Sequence, residues 1–209
     1  MFILGVTGSI GMGKTTVAGM LRDLGAPVFD SDAAVHELYA GEAAALIEAA
    51  FPGAAREGSV DRAALRARLI ADPSGVARLE AIVHPLVRRA QWTFLKAARA
   101  SGAPLAALDI PLLYETGADA LMDAVMVVSA PPDVQRARVL ARPGMTEEAF
   151  GALLARQTPD AEKRARADIV VDTGVSLEAT RTQIRQVLAQ FQARPSSAYA
   201  RWMAAYGEG

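Results

Sequence analysis

The stretch GSIGMGKT at residues 8–15 follows directly on the apolar run MFILGVT and leads into KTTVAGMLRDLG, which has the composition of a helix. It fits the pattern G-x-x-x-x-G-K-[ST]. Glycines there can turn successive backbone N–H groups inward at the positive end of a helix, so that the loop surrounds a polyphosphate. The sequence therefore predicts a buried strand, a phosphate-binding loop (the phosphate loop, residues 8–15) and a helix.

The side chains of the phosphate loop predict a site for a nucleotide and magnesium. Lys14 is expected to reach the β and γ phosphates, and the hydroxyl of Thr15 is expected to ligate the metal. The predicted nucleotide-binding residues of this region are Gly8, Ser9, Ile10, Gly11, Met12, Gly13, Lys14, Thr15 and Thr16.

Composition restricts the remaining possibilities. At 209 residues with 52% hydrophobic content, the chain can form one α/β domain with insertions or two small domains. A formal net charge of −1 gives no overall positive field for nucleic acid or a membrane surface, so neither is expected as a partner. The chain has no cysteine, and the phosphate loop interrupts the N-terminal apolar stretch, so we expect a cytoplasmic protein without disulfides or a membrane anchor.

Short apolar runs alternate with longer helical patterns, which is typical of a parallel sheet with crossover helices. The interval between the second and third runs is much longer than a crossover needs, which predicts an insertion. The sequence thus predicts an α/β fold with a five-stranded parallel sheet and flanking helices. Its strands are expected near residues 2–7, 26–30, 104–110, 123–129 and 168–172.

Two segments depart from this alternation. Residues 33–99 are rich in alanine and arginine and lack convincing strands, which predicts a helical substrate-binding subdomain. Residues 142–166 (the lid segment) contain two short amphipathic helices and several arginines, as expected of a mobile lid over phosphates. The other predicted parts are a nucleotide-binding core at 1–32, 100–141 and 167–193, and a C-terminal tail at 194–209.

A phosphate loop alone does not separate a kinase from a GTPase or a motor ATPase. The sequence has no N-K-x-D guanine-binding motif, and Asp109 ends the third predicted strand without an adjacent carboxylate. These features favour a small-molecule kinase, which needs a magnesium carboxylate, a base near the acceptor hydroxyl and arginines that close over the phosphoryl group. A nucleoside or nucleotide kinase and a nucleotide-dependent binding switch are the alternatives.

A pair of carboxylates follows the second predicted strand in VFDSDAAVHELY. Asp32 and His36 are four residues apart and share a helical face. One interpretation makes Asp32 the base that accepts the proton of an attacking hydroxyl, with Asp30 in support. The other is that the DSD stretch only caps the helix and complements its dipole.

The complete set of motifs resembles the dephospho-coenzyme A kinase family. The matching stretches are GVTGSIGMGKTTV, DSDAAVH, VHPLVR at 83–88, LDIPLLYE at 108–115 and RQTPDAEKRARADIVVDTG at 156–174. The resemblance covers residues 2 to about 190 and implies a P-loop NTPase fold with ATP and Mg²⁺ as cofactors. It also implies phosphorylation of the ribose 3′-hydroxyl of dephospho-CoA, the last step of coenzyme A synthesis.

The resemblance implies roles for individual residues on the nucleotide side. Lys14 keeps its role in the loop, Asp32 matches the catalytic base, and Arg142 looks like the arginine of the lid. Asp109 would hold magnesium through water or serve as a structural carboxylate bonded to the loop. Arg138 would lie against the adenine of ATP or be a solvated helix arginine.

On the substrate side, HPLVR is read as a break between two helices at Pro85, with His84 and Arg88 directed together toward the cleft. Leu113 and Tyr114 would form an apolar wall for the pantetheine arm, although core packing is the stronger expectation for Leu113. The predicted substrate-binding residues are Asp32, His36, Arg62, His84, Arg88, Leu113 and Tyr114. For Arg62 the alternative is that it only caps local charges, and for His84 that it only satisfies a bend in the chain.

Two regions depart from the family pattern. Thr173 stands where the family often has asparagine, so the resemblance implies a contact of its backbone, rather than of its side chain, with the nucleotide. In the tail, Tyr199, Trp202, Met203 and Tyr206 recur at helical spacing and form one apolar face, which packs on the protein's own core or on another subunit. We expect a monomer or a weak homo-oligomer.

Overall fold

The computed structural model describes residues 1–207, in which strands and helices alternate along the chain. The strands of this part are β1 Phe2–Thr7, β2 Val28–Asp30, β3 Ala55–Arg56, β4 Ser59–Val60, β5 Leu105–Asp109, β6 Ala124–Ser129 and β7 Ile169–Asp172. Its α-helices are α1 Lys14–Asp23, α2 Ser31–Tyr39, α3 Glu42–Ala50, α4 Arg62–Ala71, α5 Gly75–Ala100, α6 Pro132–Leu140, α7 Glu147–Leu154, α8 Asp160–Arg166, α9 Leu177–Gln192 and α10 Ala198–Tyr206. A short 3-10 helix lies at Ala118–Leu121.

Five parallel strands form the central sheet in the order β2-β5-β1-β6-β7. The register of β1 with β5 runs from Phe2 opposite Leu105 to Val6 opposite Asp109. Every residue of β1 and β6 is buried, as expected for parallel strands that helices cover on both faces. The predicted five-stranded α/β sheet is therefore confirmed.

Residues 1–207 divide into two compact units: residues 1–29 together with residues 95–207, and residues 30–94. The core of the first unit lies between the sheet and its helices. Phe2 and Val6 of β1 pack there with Leu21 of α1 and Ile184 of α9. Burying one such side chain contributes about 1.5–3 kcal/mol, so this cluster holds β1 and α1 at either end of the phosphate loop.

The second unit is mainly helical but is not free of strands. Ala55 pairs with Val60 and Arg56 with Ser59 in the β3–β4 hairpin. Its two-residue turn has Glu57 at φ 51° and Gly58 at φ 78°, the left-handed conformation that a tight hairpin requires. The expectation that this insertion lacks strands is thus wrong at one point, because strands of only two residues give no recognisable alternation in the sequence.

The predicted helix break at Pro85 is also wrong. α5 is continuous from Gly75 to Ala100 with Pro85 inside it. An internal proline costs a helix about 3 kcal/mol. Val83 and Leu86 on either side of it are buried in the apolar cluster of this unit, and their burial offsets that cost.

The C-terminal helix α10 packs on the protein's own core, which is the first of the two interpretations of the tail. Trp202 is fully buried, and its indole N–H donates to the carbonyl of Leu121 at 2.9 Å. The carboxylate of Asp123 accepts from the backbone N–H of Ala198 at 2.8 Å and caps the helix start. Met203, however, is 55% exposed and does not belong to the buried face.

The predicted tail extends to residue 209, and its last two positions lie outside the described residues. Within residues 1–207, no helix combines the length and the apolar character that crossing a bilayer demands.

Candidate functional site

The phosphate loop connects the carboxyl end of β1 to the start of α1, as its sequence predicts. Gly11 and Gly13 have φ angles of 79° and 86°, which favour glycine. At Gly8 the lack of space requires glycine, because a Cβ there would lie 2.5 Å from the carbonyl oxygen of Val128. The loop is therefore shaped by its glycines against the neighbouring strand β6.

Lys14 and Asp109 meet beneath this loop. The Nζ atom of Lys14 lies 2.5 Å from Oδ1 of Asp109, and the carboxylate side chain is only 3% exposed. Val6 of β1 lies directly opposite Asp109 in the sheet, so the carboxyl end of β5 reaches the loop through strand pairing. Asp109 is thus bonded to the phosphate loop, as one of the two interpretations of this residue predicted. Its binding of magnesium stays a prediction.

Thr173 directly follows β7 and is hydrogen-bonded to the phosphate loop. Its hydroxyl donates to the carbonyl of Met12 at 2.7 Å and accepts from Arg138 at 3.0 Å. Arg138 donates a second hydrogen bond to the Thr173 carbonyl at 2.6 Å. Arg138 is therefore more than a solvated helix arginine, because a backbone and a side-chain oxygen fix its guanidinium.

The side chain of Thr173 thus has a defined place despite its departure from the family pattern. It is buried, and a Cβ on Gly13 would lie 3.0 Å from its hydroxyl oxygen. A small β-branched hydroxyl residue fits this gap, since it fills the space beside the glycine and still reaches Met12.

Glu115 forms an ion pair with a fully buried lysine, Lys163, which no local sequence pattern predicted. Their Nζ and Oε1 atoms are 3.0 Å apart, and the lysine side chain has no exposed area. The same Glu115 oxygen accepts from the backbone N–H of Thr158 at 2.7 Å. Burial alone would raise the pKa of Glu115, but the hydrogen bond from the Thr158 backbone N–H and the positive charge of Lys163 help to outweigh it and keep the pKa below its usual value.

Lys163 of the lid segment therefore lies in the interior and is not exposed on the surface of α8. α8 is also joined to β6, because Ser129 donates to the carboxylate of Asp160 at 2.9 Å. A fully buried lysine is rare, and nothing in the local sequence of α8 distinguishes Lys163 from its exposed neighbours.

Leu113 and Tyr114 lie in the interior rather than on an exposed wall. Leu113 is fully buried, and a Cβ on Gly5 of β1 would lie 2.7 Å from its side chain. Tyr114 is 7% exposed, with the guanidinium of Arg166 4.0 Å from its ring centre. The predicted apolar wall for the substrate is therefore wrong for Leu113, where core packing prevails, and little of the Tyr114 ring reaches the surface.

In the second unit, the two carboxylates of the DSD stretch have separate places. Asp30 is the N-cap of α2, and its side chain accepts from the backbone N–H of Ala33 at 3.0 Å. Asp32 lies in the first turn of the helix and is exposed. The helix cap is thus made by Asp30, and Asp32 does not have that function.

His36 and Arg62 are brought together from α2 and α4. Nη2 of Arg62 lies 2.6 Å from Nδ1 of His36. Because arginine only donates, Nδ1 must be the acceptor, so a neutral His36 carries its proton on Nε2. Both side chains are exposed, and His36 shares a helical face with Asp32, so this unit presents a carboxylate, an imidazole and a guanidinium together.

The two residues of the HPLVR stretch share a face of α5. His84 is exposed, and Arg88, one turn further on, donates to Gln91 at 3.2 Å. Gln91 in turn donates to the hydroxyl of Ser31 at 3.3 Å, next to Asp32 in the sequence. His84 and Arg88 thus lie on one side of the helix, as the prediction that they point the same way requires. Their binding of a substrate stays a prediction.

The oxygen donors near the phosphate loop fit a magnesium ion that binds together with phosphates. The exposed hydroxyl of Thr15 and the carboxylate of Asp109 supply oxygen donors, and Mg²⁺ commonly takes one or two protein ligands with water and phosphate completing its shell. Among residues 1–207, no group of three or more His, Cys, Asp or Glu side chains is arranged to hold a metal by itself.

Arg142 lies between α6 and α7. It follows the C-cap of α6, its backbone N–H donates to Val139 at 3.1 Å, and the residue is exposed. The predicted arginine of the lid is therefore accessible to solvent, and its contact with a phosphoryl group stays a prediction.

Comparison with known proteins gives one consistent family. A family model described as dephospho-CoA kinase matches residues 2–178. The chain is 59% identical to a dephospho-CoA kinase of Rhodopseudomonas palustris, over 90% of this chain and 95% of the relative. It is 56% identical to the enzyme of the same name from Rhizobium meliloti, over 92% of this chain and all of that protein.

Solved structures agree in fold. A crystal structure of a Thermus thermophilus protein matches with a TM-score of 0.79 and 39% identity, covering 90% of this chain and 97% of the other. A dephospho-CoA kinase from Campylobacter jejuni matches with a TM-score of 0.62 at 22% identity, covering 90% and 96%.

Proposed function

This chain belongs to the dephospho-CoA kinase family, and we propose that it transfers the γ-phosphoryl group of ATP to the ribose 3′-hydroxyl of dephospho-CoA. The products are coenzyme A and ADP, which makes this the final step of coenzyme A biosynthesis. The observation that carries the proposal is a complete phosphate loop, with Lys14 paired to Asp109, in a chain that the family model matches over residues 2–178.

On the donor side, the phosphate loop and α1 bind the polyphosphate. The backbone N–H groups at the start of α1 point at the phosphates, and the helix dipole favours their negative charge. Lys14 neutralises charge on the β and γ phosphates. Thr15 and Asp109 hold Mg²⁺, which when bound withdraws charge from the phosphate oxygens.

On the acceptor side, Asp32 takes the proton of the 3′-hydroxyl. The ribose oxygen forms a bond to the γ phosphorus while the bond from that phosphorus to the ADP oxygen breaks, and the proton moves to the carboxylate. The exposed position of Asp32 in the first turn of α2, free of the capping role that Asp30 fills, supports this assignment. No phosphoenzyme is required.

The basic residues of both units recognise anionic parts of the two substrates. In the second unit, His36, Arg62, His84 and Arg88 bind the phosphates or the ribose of dephospho-CoA, which the pairing of His36 with Arg62 supports. In the first unit, Arg142 closes over the transferring phosphoryl group and excludes water. Arg138 and Thr173 lie beside the adenine end of ATP.

The wider setting follows from composition. We propose that the protein works in the cytoplasm as a monomer or a weak homo-oligomer and binds neither nucleic acid nor membranes. The net charge of −1 supports this, since it provides no general attraction for polyanions.

Mass spectrometry of a reaction with ATP, magnesium and dephospho-CoA tests the function directly. We expect coenzyme A to form with one ADP for each product molecule, and nucleoside monophosphates added in excess should not compete. ADP release without coenzyme A, or preferential phosphorylation of a nucleoside monophosphate, would contradict the proposal. Nucleotide binding without any phosphorylated product would point to a binding switch.

A further inference from the structure

Two glutamine side chains hold the same residue of the phosphate loop. The backbone N–H of Ile10 donates to Oε1 of Gln157 at 3.0 Å. Nε2 of Gln135 donates to the carbonyl of Ile10 at 2.7 Å. Because a backbone N–H only donates and a carbonyl only accepts, these partners fix which end of each side-chain amide faces Ile10.

The two hydrogen bonds fix two consecutive peptide planes. Gln157 holds the plane that joins Ser9 to Ile10, and Gln135 holds the plane that joins Ile10 to Gly11. In a trans peptide the N–H points opposite to the preceding carbonyl, so the bond from Gln135 also sets the direction of the Gly11 N–H. The orientation of loop donors at the phosphate site therefore depends on side chains far away in sequence.

The helix α7 lies between these glutamines in sequence. Gln135 belongs to α6 and is buried, while Gln157 follows α7 and precedes α8. The position of Gln157 is itself fixed, because its neighbour Thr158 donates to Glu115, the partner of the buried Lys163. If α7 moves, the glutamines that precede and follow it in the sequence can pass the movement to the phosphate loop, because both are hydrogen-bonded to Ile10.

We infer that Gln157 is a positioning residue that couples the segment carrying α7 to the phosphate loop and thereby sets the affinity for ATP. The inference rests on the proposed function, since it concerns the nucleotide site of that reaction. Gln157 acts through the Ile10 peptide and not through contact with ATP. Gln135 holds the other side of the same residue and has the matching effect.

The test compares Gln157→Met, which removes the acceptor at nearly constant length, with the unaltered protein. We expect the KM for ATP to rise about 5- to 30-fold, as the loss of one hydrogen bond predicts, with the KM for dephospho-CoA changed less than about twofold. Hydrogen exchange of the Ile10 amide, followed by NMR, should accelerate about tenfold or more. Gln135→Met should likewise raise the KM for ATP.

Gln192→Met, at the exposed end of α9, is the matched control and should change neither value. If Gln157→Met does not fold, Gln157→Asn, whose amide is too short to reach Ile10, takes its place. An unchanged KM for ATP would overturn the inference, as would equal increases in both KM values.

Calorimetric binding of ATP with magnesium separates this inference from the proposed function. If the unaltered protein binds ATP normally but makes no coenzyme A, the proposed function is refuted. Weaker ATP binding in Gln157→Met together with faster Ile10 exchange would still support the coupling, and unchanged binding would refute it.

Discussion

Lys14 and Asp109 form a short ion pair, with Nζ 2.5 Å from Oδ1, in which the carboxylate side chain is 3% exposed and the lysine side chain 15%. The lysine of the phosphate loop is thus positioned by the end of β5 as well as by its own helix. An ammonium group held in this way is ready to meet a phosphate without first losing side-chain freedom.

Replacing either partner should impair catalysis in different ways. Asp109→Asn keeps the shape but removes the charge that positions Lys14 and that we propose holds magnesium, so we expect kcat to fall about 100-fold or more. Lys14→Ala should raise the KM for ATP and lower kcat together, because the same charge acts in binding and in the transition state. Steady-state kinetics measure both effects, and Lys96→Ala at an exposed position is the control. Wild-type rates in Asp109→Asn would exclude a role for its charge.

Asp32→Asn should lower kcat about 10²- to 10⁴-fold, the usual contribution of a general base, with the Kd for ATP nearly unchanged. The reason is that asparagine cannot accept the proton of the ribose hydroxyl. Glu37→Gln removes an exposed carboxylate from the same helix and should leave kcat intact. Near-normal turnover in Asp32→Asn would show that the base lies elsewhere.

Arg62→Met should raise the KM for dephospho-CoA about tenfold, the size of effect expected when a charged hydrogen bond to a substrate phosphate is lost. The KM for ATP should stay constant, since Arg62 belongs to the substrate side of the proposal. Arg66→Met, one turn further along α4 and also exposed, is the matched control. An equal effect of both substitutions would indicate only a general charge effect.

Thr173→Val removes one hydroxyl at constant shape and deprives both Met12 and Arg138 of a hydrogen-bond partner. We expect the free energy of unfolding to fall by about 1–3 kcal/mol, the cost of leaving buried polar groups unsatisfied, and the KM for ATP to rise. Urea denaturation and kinetics measure the two changes. Thr173→Ser keeps the hydroxyl and should retain most of the free energy of unfolding and most of the affinity for ATP. If it does not, the effect of Thr173→Val comes from changed packing and not from the lost hydrogen bonds.

We predict that the protein loses stability in alkali because of Tyr114. Burial raises the pKa of Tyr114 to about 12, from an ordinary value of 10.0. Between these values the unfolded chain loses the phenolic proton while the folded protein keeps it, so the free energy of unfolding should fall as pH rises through this window. Tyr114→Phe should make that decline shallower, as measured by denaturation at pH 9 to 12.

At neutral pH, Tyr114→Phe should change stability by less than about 1 kcal/mol, because the buried hydroxyl has no hydrogen-bond partner among the described residues. Tyr206→Phe serves as the control and should keep the alkaline decline of the unaltered protein. A large loss of stability in Tyr114→Phe at neutral pH would mean that the hydroxyl has a partner after all.

Sequence patterns predicted the parts of the site that are contiguous in the chain. The phosphate loop was recognisable because its glycines, Lys14 and Thr15 must stand at fixed spacing between a strand and a helix. The DSD stretch was ambiguous, since either carboxylate can cap a helix, and only the backbone geometry assigned the cap to Asp30. The break expected at Pro85 was wrong because a local rule was outweighed by burial on both sides of the proline.

The sequence by itself determined the alternation of strands and helices, the phosphate loop and the family, because these depend on residues that are neighbours in the chain. Tertiary structure alone decided the partners that hold the loop: Gln157 contacts Ile10 across 147 positions, and Thr173 contacts Met12 across 161. Such contacts leave no periodic or local signal, since a hydrogen bond between distant segments depends on how the sheet brings their backbones together.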